Sequence, residues 1–455
     1  MSKENALFDD EFDLEFDETN SEDSSGEDLI NQLTGPVDNA HDDAGAEAVV
    51  PPPMNAFQGG DRAIPAIAVL AFHESGETRD VLERMASDRR MINTTVEVHP
   101  GGIPAAIEHL ASNPTPNLLI VESSAPSKSM IQKIDELAAQ CEEGVQVMVI
   151  GATNDIPLYR QLVSRGVSEY LVPPIEPVQL VRSVGGLFTD PDAPFVGKSI
   201  SVIGAKGGVG SSTIAHNLAW ALAENALVNT SLVDLDLSFG TTSLDFNQET
   251  QQTIADALLS PDRTDDAVIS RLLAKATDRL SLFTAPASVN QIMDIDAQSY
   301  SMVIEGVRRL MPYVVLDLPH GWSQWIYNTL ITSDEVILVC QPDLASLRNG
   351  KNLIDQLKSQ RPNDNPPRLI INMAGVPKRP EIPVKDFADA IELEPDMVLA
   401  FDPQLFGTAS NKGQMISEAD PQSKPAMSID ELASQLSGRE TQKPQKSFLK
   451  KLLGK

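Results

Sequence analysis

Basic residues are scarce in this chain of 455 residues: 35 Lys and Arg stand against 65 Asp and Glu, a formal net charge of −30. So acidic a chain repels polyphosphate backbones unless it carries a local basic patch, which argues against nucleic acid as the partner. Cysteine is nearly absent. Cys141 and Cys340 fall in different expected domains, each in or beside an apolar element. They read as small buried thiols rather than a disulfide or a metal pair. No apolar run approaches the ~20 residues needed to span a bilayer. The opening MSKENALFDDEFDLEFDE is acidic and lacks the apolar stretch of a secretory signal. The chain is therefore expected in the cytoplasm. What it does have is 41% apolar residues and a length suited to two domains with tails.

Residues 1–62 carry 17 carboxylates against Lys3 and Arg62, a net −15, half the charge of the whole chain. With Gly35–Pro36 and the Pro51–Pro53 run, this segment reads as a disordered acidic tail. Phe8, Phe12, Leu14 and Phe16 interrupt it, either as a docking motif or as scattered apolar residues. Residues 63–188 alternate strand-like runs (64–71, 117–121, 145–150, 169–172) with helix-like ones (79–89, 133–141, 157–164, 177–187), the pattern of a parallel sheet covered on both faces. TDPDAPFVG, residues 189–197, reads as a linker. A second α/β alternation fills 198–438, with strands near 199–203, 231–235, 313–318, 335–340 and 368–372. Its last helix is expected to begin at Ser428, where Ser428 and Glu431 match a capping box. Residues 439–455 form a basic tail of net charge +5.

The chemistry concentrates in ISVIGAKGGVGSST. An apolar strand leads into it and a helix, IAHNLAWALAEN, leads out. Glycines let backbone N–H groups turn around phosphate oxygens, and the new helix adds its positive end. Gly207, Gly208, Val209, Gly210, Ser211, Ser212 and Thr213 are the expected phosphate-binding residues, with the Ser212 hydroxyl a ligand for Mg2+. Further on, LVDLDLSFG and YVVLDLP place Asp234, Asp236 and Asp317 at the carboxyl ends of strands. Carboxylates there face the ligand crevice of such a sheet.

The loop resembles that of the MinD/ParA class of deviant Walker ATPases, KGGxGK[ST]. The resemblance implies ATP and Mg2+ as cofactors. It makes Lys206 the signature lysine that crosses a homodimer to the partner's nucleotide, Asp236 the residue that positions water, and Ser212, Asp234 and Asp317 the metal-site residues. Asn372, ending RLIINMAG, matches the position that reads adenine. Ser211 departs from the pattern, since the second lysine of the class normally stands there. Slow hydrolysis is expected without it.

A closer likeness rests on GGVGSST, DLDLSFG, VVLDLPH, SDEVILVCQPDLASLRNGKNLIDQL and AFDPQLFGTASNKGQMISEADPQSK, together with the preceding domain. These resemble the CpaE/TadZ proteins of Flp (Tad) pilus assembly. The implied architecture is α/β: an N-terminal receiver-like (flavodoxin-like) domain followed by a MinD/ParA-type P-loop domain. The implied role is a cytoplasmic protein at a cell pole that helps place the pilus secretion machinery. Its implied partners are a second copy, the pilus secretion ATPase, inner-membrane platform proteins and a polar hub protein.

The first domain departs from a working receiver. His73 and Glu74 follow strand one in place of an acidic pair, Glu122 replaces the phosphoacceptor aspartate, and Pro173 stands where a lysine is needed. It reads as a pseudo-receiver for protein contact; the alternative is a receiver in which Glu122 mimics the phosphorylated state. In the basic tail, Phe448, Leu449, Leu452 and Leu453 lie among lysines. That suits an anionic membrane surface, with a solubilising tail or a partner for the acidic N-terminus as alternatives. Two rival functions stay open, a ParA-type positioning ATPase on DNA and a scaffold independent of nucleotide.

Overall fold

The structure is a computed structural model, and it describes residues 63–142, 144–188, 195–290 and 293–439. The expected acidic tail of residues 1–62 and residues 440–455 of the basic tail lie outside the described residues.

The first sheet is built by β1 (Ala68–His73), α1 (Gly76–Ala86), β2 (Thr95–Pro100), α2 (Gly102–Leu110), β3 (Leu118–Ser123), α3 (Ser127–Ala138), β4 (Gln146–Gly151), α4 (Ile156–Val163), β5 (Glu169–Leu171) and α5 (Pro177–Phe188). All strand pairs are parallel, in the order β2-β1-β3-β4-β5. That is the flavodoxin-like order. Helices cover both faces, so LLIVES in β3 is buried at all six positions. The edge strand β2, TVEVHP, alternates half-buried and exposed residues, which is why no apolar run announced it. The third helix starts at Ser127, after Pro126, six residues before the expected start.

The second sheet follows, from β6 (Lys198–Gly204), α6 (Ser211–Trp220), β7 (Thr230–Asp234), α7 (Thr242–Asp245), α8 (Ile254–Leu258), α9 (Asp266–Leu272), β8 (Ala274–Lys275) and β9 (Leu280–Phe283). It continues with α10 (Ala297–Leu310), β10 (Tyr313–Asp317), α11 (Gln324–Thr332), β11 (Glu335–Cys340), α12 (Leu344–Gln360) and β12 (Arg368–Ala374). It closes with α13 (Val384–Ile391), β13 (Met397–Ala400), α14 (Pro403–Asn411), α15 (Ile416–Ala419) and α16 (Lys424–Ser437). The strand order is β13-β12-β11-β6-β10-β7-β9-β8, parallel throughout except for the short β8 at the edge. β6 is flanked by β10 on one side and β11 on the other, so the chain changes direction across the sheet at β6, where such sheets open a ligand crevice. One core lies on each face: Ile200, Val202, Ile214 and Leu218 belong to one, Ile203, Val233, Leu316 and Ile371 to the other.

The last helix corrects the capping expectation. It starts at Lys424, with Ser423 as N-cap accepting from the Ala426 N–H and Pro425 in the first turn. Ser428 lies inside the helix. Proline's fixed φ suits a first turn, and that decided the start. The end of the expected linker is tied down: Gly197 N–H donates to the Arg308 carbonyl, and the Arg308 guanidinium returns a bond to the Gly197 carbonyl.

The two sheets meet through charge. Arg89 Nε lies 2.7 Å from Asp364 Oδ2, Arg361 Nε 2.8 Å from the same oxygen, and Arg90 pairs with Asp364 Oδ1. Asn363 donates to Asp88 and to the Arg84 carbonyl. Burial pushes Asp364 up, but Arg89, Arg361 and Arg90 outweigh it and hold the carboxyl below its usual range.

Candidate functional site

The residues from Ala205 to Gly210 join β6 to α6, and three amide side chains hold this loop open. Asn349 donates to the Ala205 carbonyl at 2.9 Å, Gln341 to that of Gly208 at 3.0 Å, and Asn372 to that of Val209 at 2.8 Å. In a planar trans peptide the carbonyl and the next N–H point opposite ways. Pinning these oxygens therefore aims the N–H groups of Lys206, Val209 and Gly210 to the other side. The loop is uncrowded at its tip, where a Cβ on Gly207 or Gly208 would meet nothing within 4 Å. Gly210 is different. Its φ is +86° and a Cβ would stand 2.6 Å from Asn372 Nδ2, so only glycine lets the Asn372 amide pass beneath the loop.

Lys206 Nζ pairs with Asp343 Oδ2 at 2.9 Å within the same chain. Asp343 also caps α12 by accepting from Ser346 N–H. Burial pushes Asp343 up, but Ser346 and Lys206 prevail and hold it below the usual carboxylate range. Ser211 opens α6 with its hydroxyl toward Gly204, where a Cβ would come within 3.1 Å of it. Ser212 and Thr213 follow in the same turn.

Asp234 and Asp317 are neighbours in register on β7 and β10. Both oxygens of Asp234 are committed to the loop it begins, Oδ1 accepting from Asp236 N–H and Oδ2 from Thr242 N–H. Gly240 packs onto that carboxylate so closely that a Cβ would stand 2.4 Å from Oδ2. Burial and the nearby Asp317 raise Asp234 to about 6. It clamps the loop it begins, at a strand end beside Asp317. Asp236 starts the turn, accepting from Phe239 N–H at 3.0 Å. Asn372 serves the loop as well: its amide nitrogen donates to the Val209 carbonyl and its amide oxygen accepts from Met373 N–H.

Asp317 is 2% exposed. Its Oδ1 is buried without a hydrogen-bond partner among the described residues, while Oδ2 lies 3.4 Å from His216 Nε2. His216 was missed in the sequence; its one signal is its position four residues after Ser212, on the same face of α6. The ring is fully buried. Nδ1 lies 2.9 Å from Asp245 Oδ2, and Nε2 lies 3.0 Å from Thr242 Oγ1. Burial opposes the imidazolium, but Asp245 and Asp317 outweigh it and raise His216 to about 10. Beside the loop, a groove of about 800 Å3 is lined by Gly204, His320, Trp322, Tyr327, Asn349 and Gln356.

In the first sheet, the Glu122 carboxylate accepts from the N–H groups of Glu74 (2.6 Å) and Ser75 (2.8 Å) and from the hydroxyls of Ser75 (2.8 Å) and Thr78 (2.7 Å). Glu74 in turn accepts from Ser124 N–H and Oγ. The position expected of a phosphoacceptor is thus occupied by a fully bonded carboxylate.

The family model described as "AAA domain" matches residues 197–368. A pilus assembly protein CpaE from Caulobacter crescentus is 43% identical, over 28% of this chain and 98% of that one, with a TM-score of 0.28. A CpaE2 pilus assembly protein from Sinorhizobium meliloti is 38% identical, over 26% of this chain and 96% of that one, with a TM-score of 0.25. The septum site-determining protein MinD of Synechocystis is 26% identical over 53% of this chain and 90% of its own length. Fold and site together define an α/β protein with a receiver-like sheet followed by a P-loop domain of the MinD/ParA type. By the sequence identity to the two CpaE proteins, the chain belongs to the CpaE/TadZ-type branch of that family.

Proposed function

We propose that this chain binds ATP and Mg2+, dimerises according to the bound nucleotide, and helps localise the Flp (Tad) pilus secretion machinery at a cell pole. One observation carries the nucleotide half of this reading: Asn349, Gln341 and Asn372 pin the carbonyls of a loop that is uncrowded at Gly207 and Gly208. So ordered a ring of outward carbonyls has a purpose if the inward N–H groups receive phosphate oxygens. The names of the Caulobacter and Sinorhizobium relatives support the pilus half.

Gly207, Gly208, Val209, Gly210, Ser211, Ser212 and Thr213 would hold the phosphates. The buried, unpartnered Asp317 Oδ1 fits a cation, so Ser212 and Asp317 are the residues that would hold Mg2+. The ion supplies charge neutralisation at the phosphates when bound. Lys206 is the residue expected to leave Asp343 for a partner's nucleotide, and Asp236 the one to orient water. Turnover is expected to be slow, because the serine hydroxyl at position 211 carries no charge to the phosphates. The secretion ATPase, the inner-membrane platform and a polar hub are the expected partners, and residues 439–455 are the segment proposed to touch the membrane. Among the described residues no helix is long and apolar enough to cross one.

The test is ATP·Mg2+ binding measured together with molar mass in solution, for wild type and Lys206→Ala. ATP-dependent dimerisation that weakens in the variant is the expected result. Binding with no change in mass would remove the dimer from the reading. No binding at all would leave the scaffold, which Ser211 already favours.

A further inference from the structure

Helix α6, the Asp317 strand end and α7 meet at one side chain to which the nucleotide site gives no role. His216 is fully buried on α6, one helical turn after Ser212. Its Nδ1 is held at 2.9 Å by Asp245 Oδ2, and its Nε2 faces Thr242 Oγ1 at 3.0 Å and Asp317 Oδ2 at 3.4 Å. Asp245 is itself fixed from outside, Oδ1 accepting from Ser410 on α14 and Oδ2 from Thr241. The imidazole is therefore locked in rotation before it meets Asp317. It engages one oxygen of that carboxylate and leaves the other, Oδ1, buried and without a partner among the described residues. A carboxylate left to itself at the end of a strand would spread both oxygens over whatever donors lay near. This one is presented with a single open oxygen.

We propose that His216 is a positioning residue for the metal site: by holding Asp317 Oδ2 it fixes the carboxylate so that Oδ1 is the oxygen offered to a divalent cation beside the bound nucleotide. The inference rests on the nucleotide reading above. It adds a residue that touches neither nucleotide nor metal and acts through Asp317, with Asp245 as its anchor. Partners of this kind, one bond removed from a metal ligand, typically change metal affinity tenfold to a hundredfold when lost.

The experiment uses the full chain and Mn2+ as the probe. Mn2+ affinity of the ADP complex is measured by electron paramagnetic resonance, and ADP affinity without metal is measured in EDTA. Wild type is compared with His216→Gln and with Asp245→Asn, which loosens the far end of the ring and leaves Asp317 untouched. His216→Gln is expected to lower Mn2+ affinity about tenfold or more, with metal-free ADP affinity within about twofold of wild type. Asp245→Asn is expected to lower Mn2+ affinity by a smaller factor in the same direction. A residue that merely supports the fold would depress both affinities together. If His216→Gln does not fold, Asp245→Asn decides alone. Wild-type Mn2+ affinity in the folded variants would overturn the role of His216. Wild type that binds neither ADP nor Mn2+ would instead overturn the nucleotide reading beneath it.

Discussion

Glu122 stands where a receiver would carry its phosphoacceptor, and four donors already surround it. A charge-assisted hydrogen bond contributes about 1.5–3 kcal/mol, and stranded donors cost more than the mean. Glu122→Ala is therefore expected to destabilise the protein by roughly 2–3 kcal/mol in urea unfolding. Burial pushes Glu122 up, but the donors of Ser75, Thr78 and Glu74 prevail and hold it below its usual range. With the folded value below the unfolded one, this contribution is present above the ordinary glutamate range. It is lost as pH falls through the folded value. The urea midpoint of wild type should fall on acidification, and that of Glu122→Gln should fall less steeply. Acetyl phosphate should leave the domain unlabelled, because the carboxylate is committed and the acidic pair is absent. The residue identities made this domain's departure from a receiver legible, but not the reason for it. The donors that occupy Glu122 come from the β1–α1 turn and the first turn of α1, 44 to 48 residues away, which no local pattern reports.

At the scale of elements, the phosphate loop was legible because its glycines, its strand and its helix are contiguous in sequence. The amides that hold it come from α12, β12 and the residue after β11, far along the chain, so the bonds from Gln341, Asn349 and Asn372 to the loop could not be read from the motif itself. Gly210→Ala tests this directly: the added Cβ collides with the Asn372 amide, and nucleotide affinity is expected to drop at least tenfold in a fluorescent-nucleotide titration. Helix starts were less legible. Ser428 with Glu431 matched a capping pattern, yet Ser423 ahead of Lys424–Pro425 makes the cap. Ser423→Ala should cost about 1 kcal/mol and Ser428→Ala less than about 0.5 kcal/mol, read from thermal unfolding. The edge strands β2, β8 and β13 escaped notice for a common reason: an edge strand need not be apolar on both faces, or long.

For the whole molecule, the contact between the receiver-like sheet and the P-loop sheet centres on one carboxylate. Asp364 meets Arg89 and Arg90 from one side and Arg361 from the other, all nearly buried. Removing one partner from a buried ionic cluster costs about 3–5 kcal/mol, because charges are left without compensation. Asp364→Ala is expected to lose that much and to split one unfolding transition into two by calorimetry, as the sheets cease to melt together. Nothing in the sequence marked Asp364, since it lies in a polar turn and its partners are 3, 274 and 275 residues away.

The same aspartate ends a line that begins at the phosphate loop. Asp343, which holds Lys206, caps the start of α12; Arg361, which holds Asp364, caps its end. Between them run 17 helical residues, a strut of about 25 Å that resists compression along its axis. Helix α12 thus carries the partner of Lys206 at one end and the seat of Arg89 and Arg90 at the other, so the phosphate loop and the receiver-like half share one structural member.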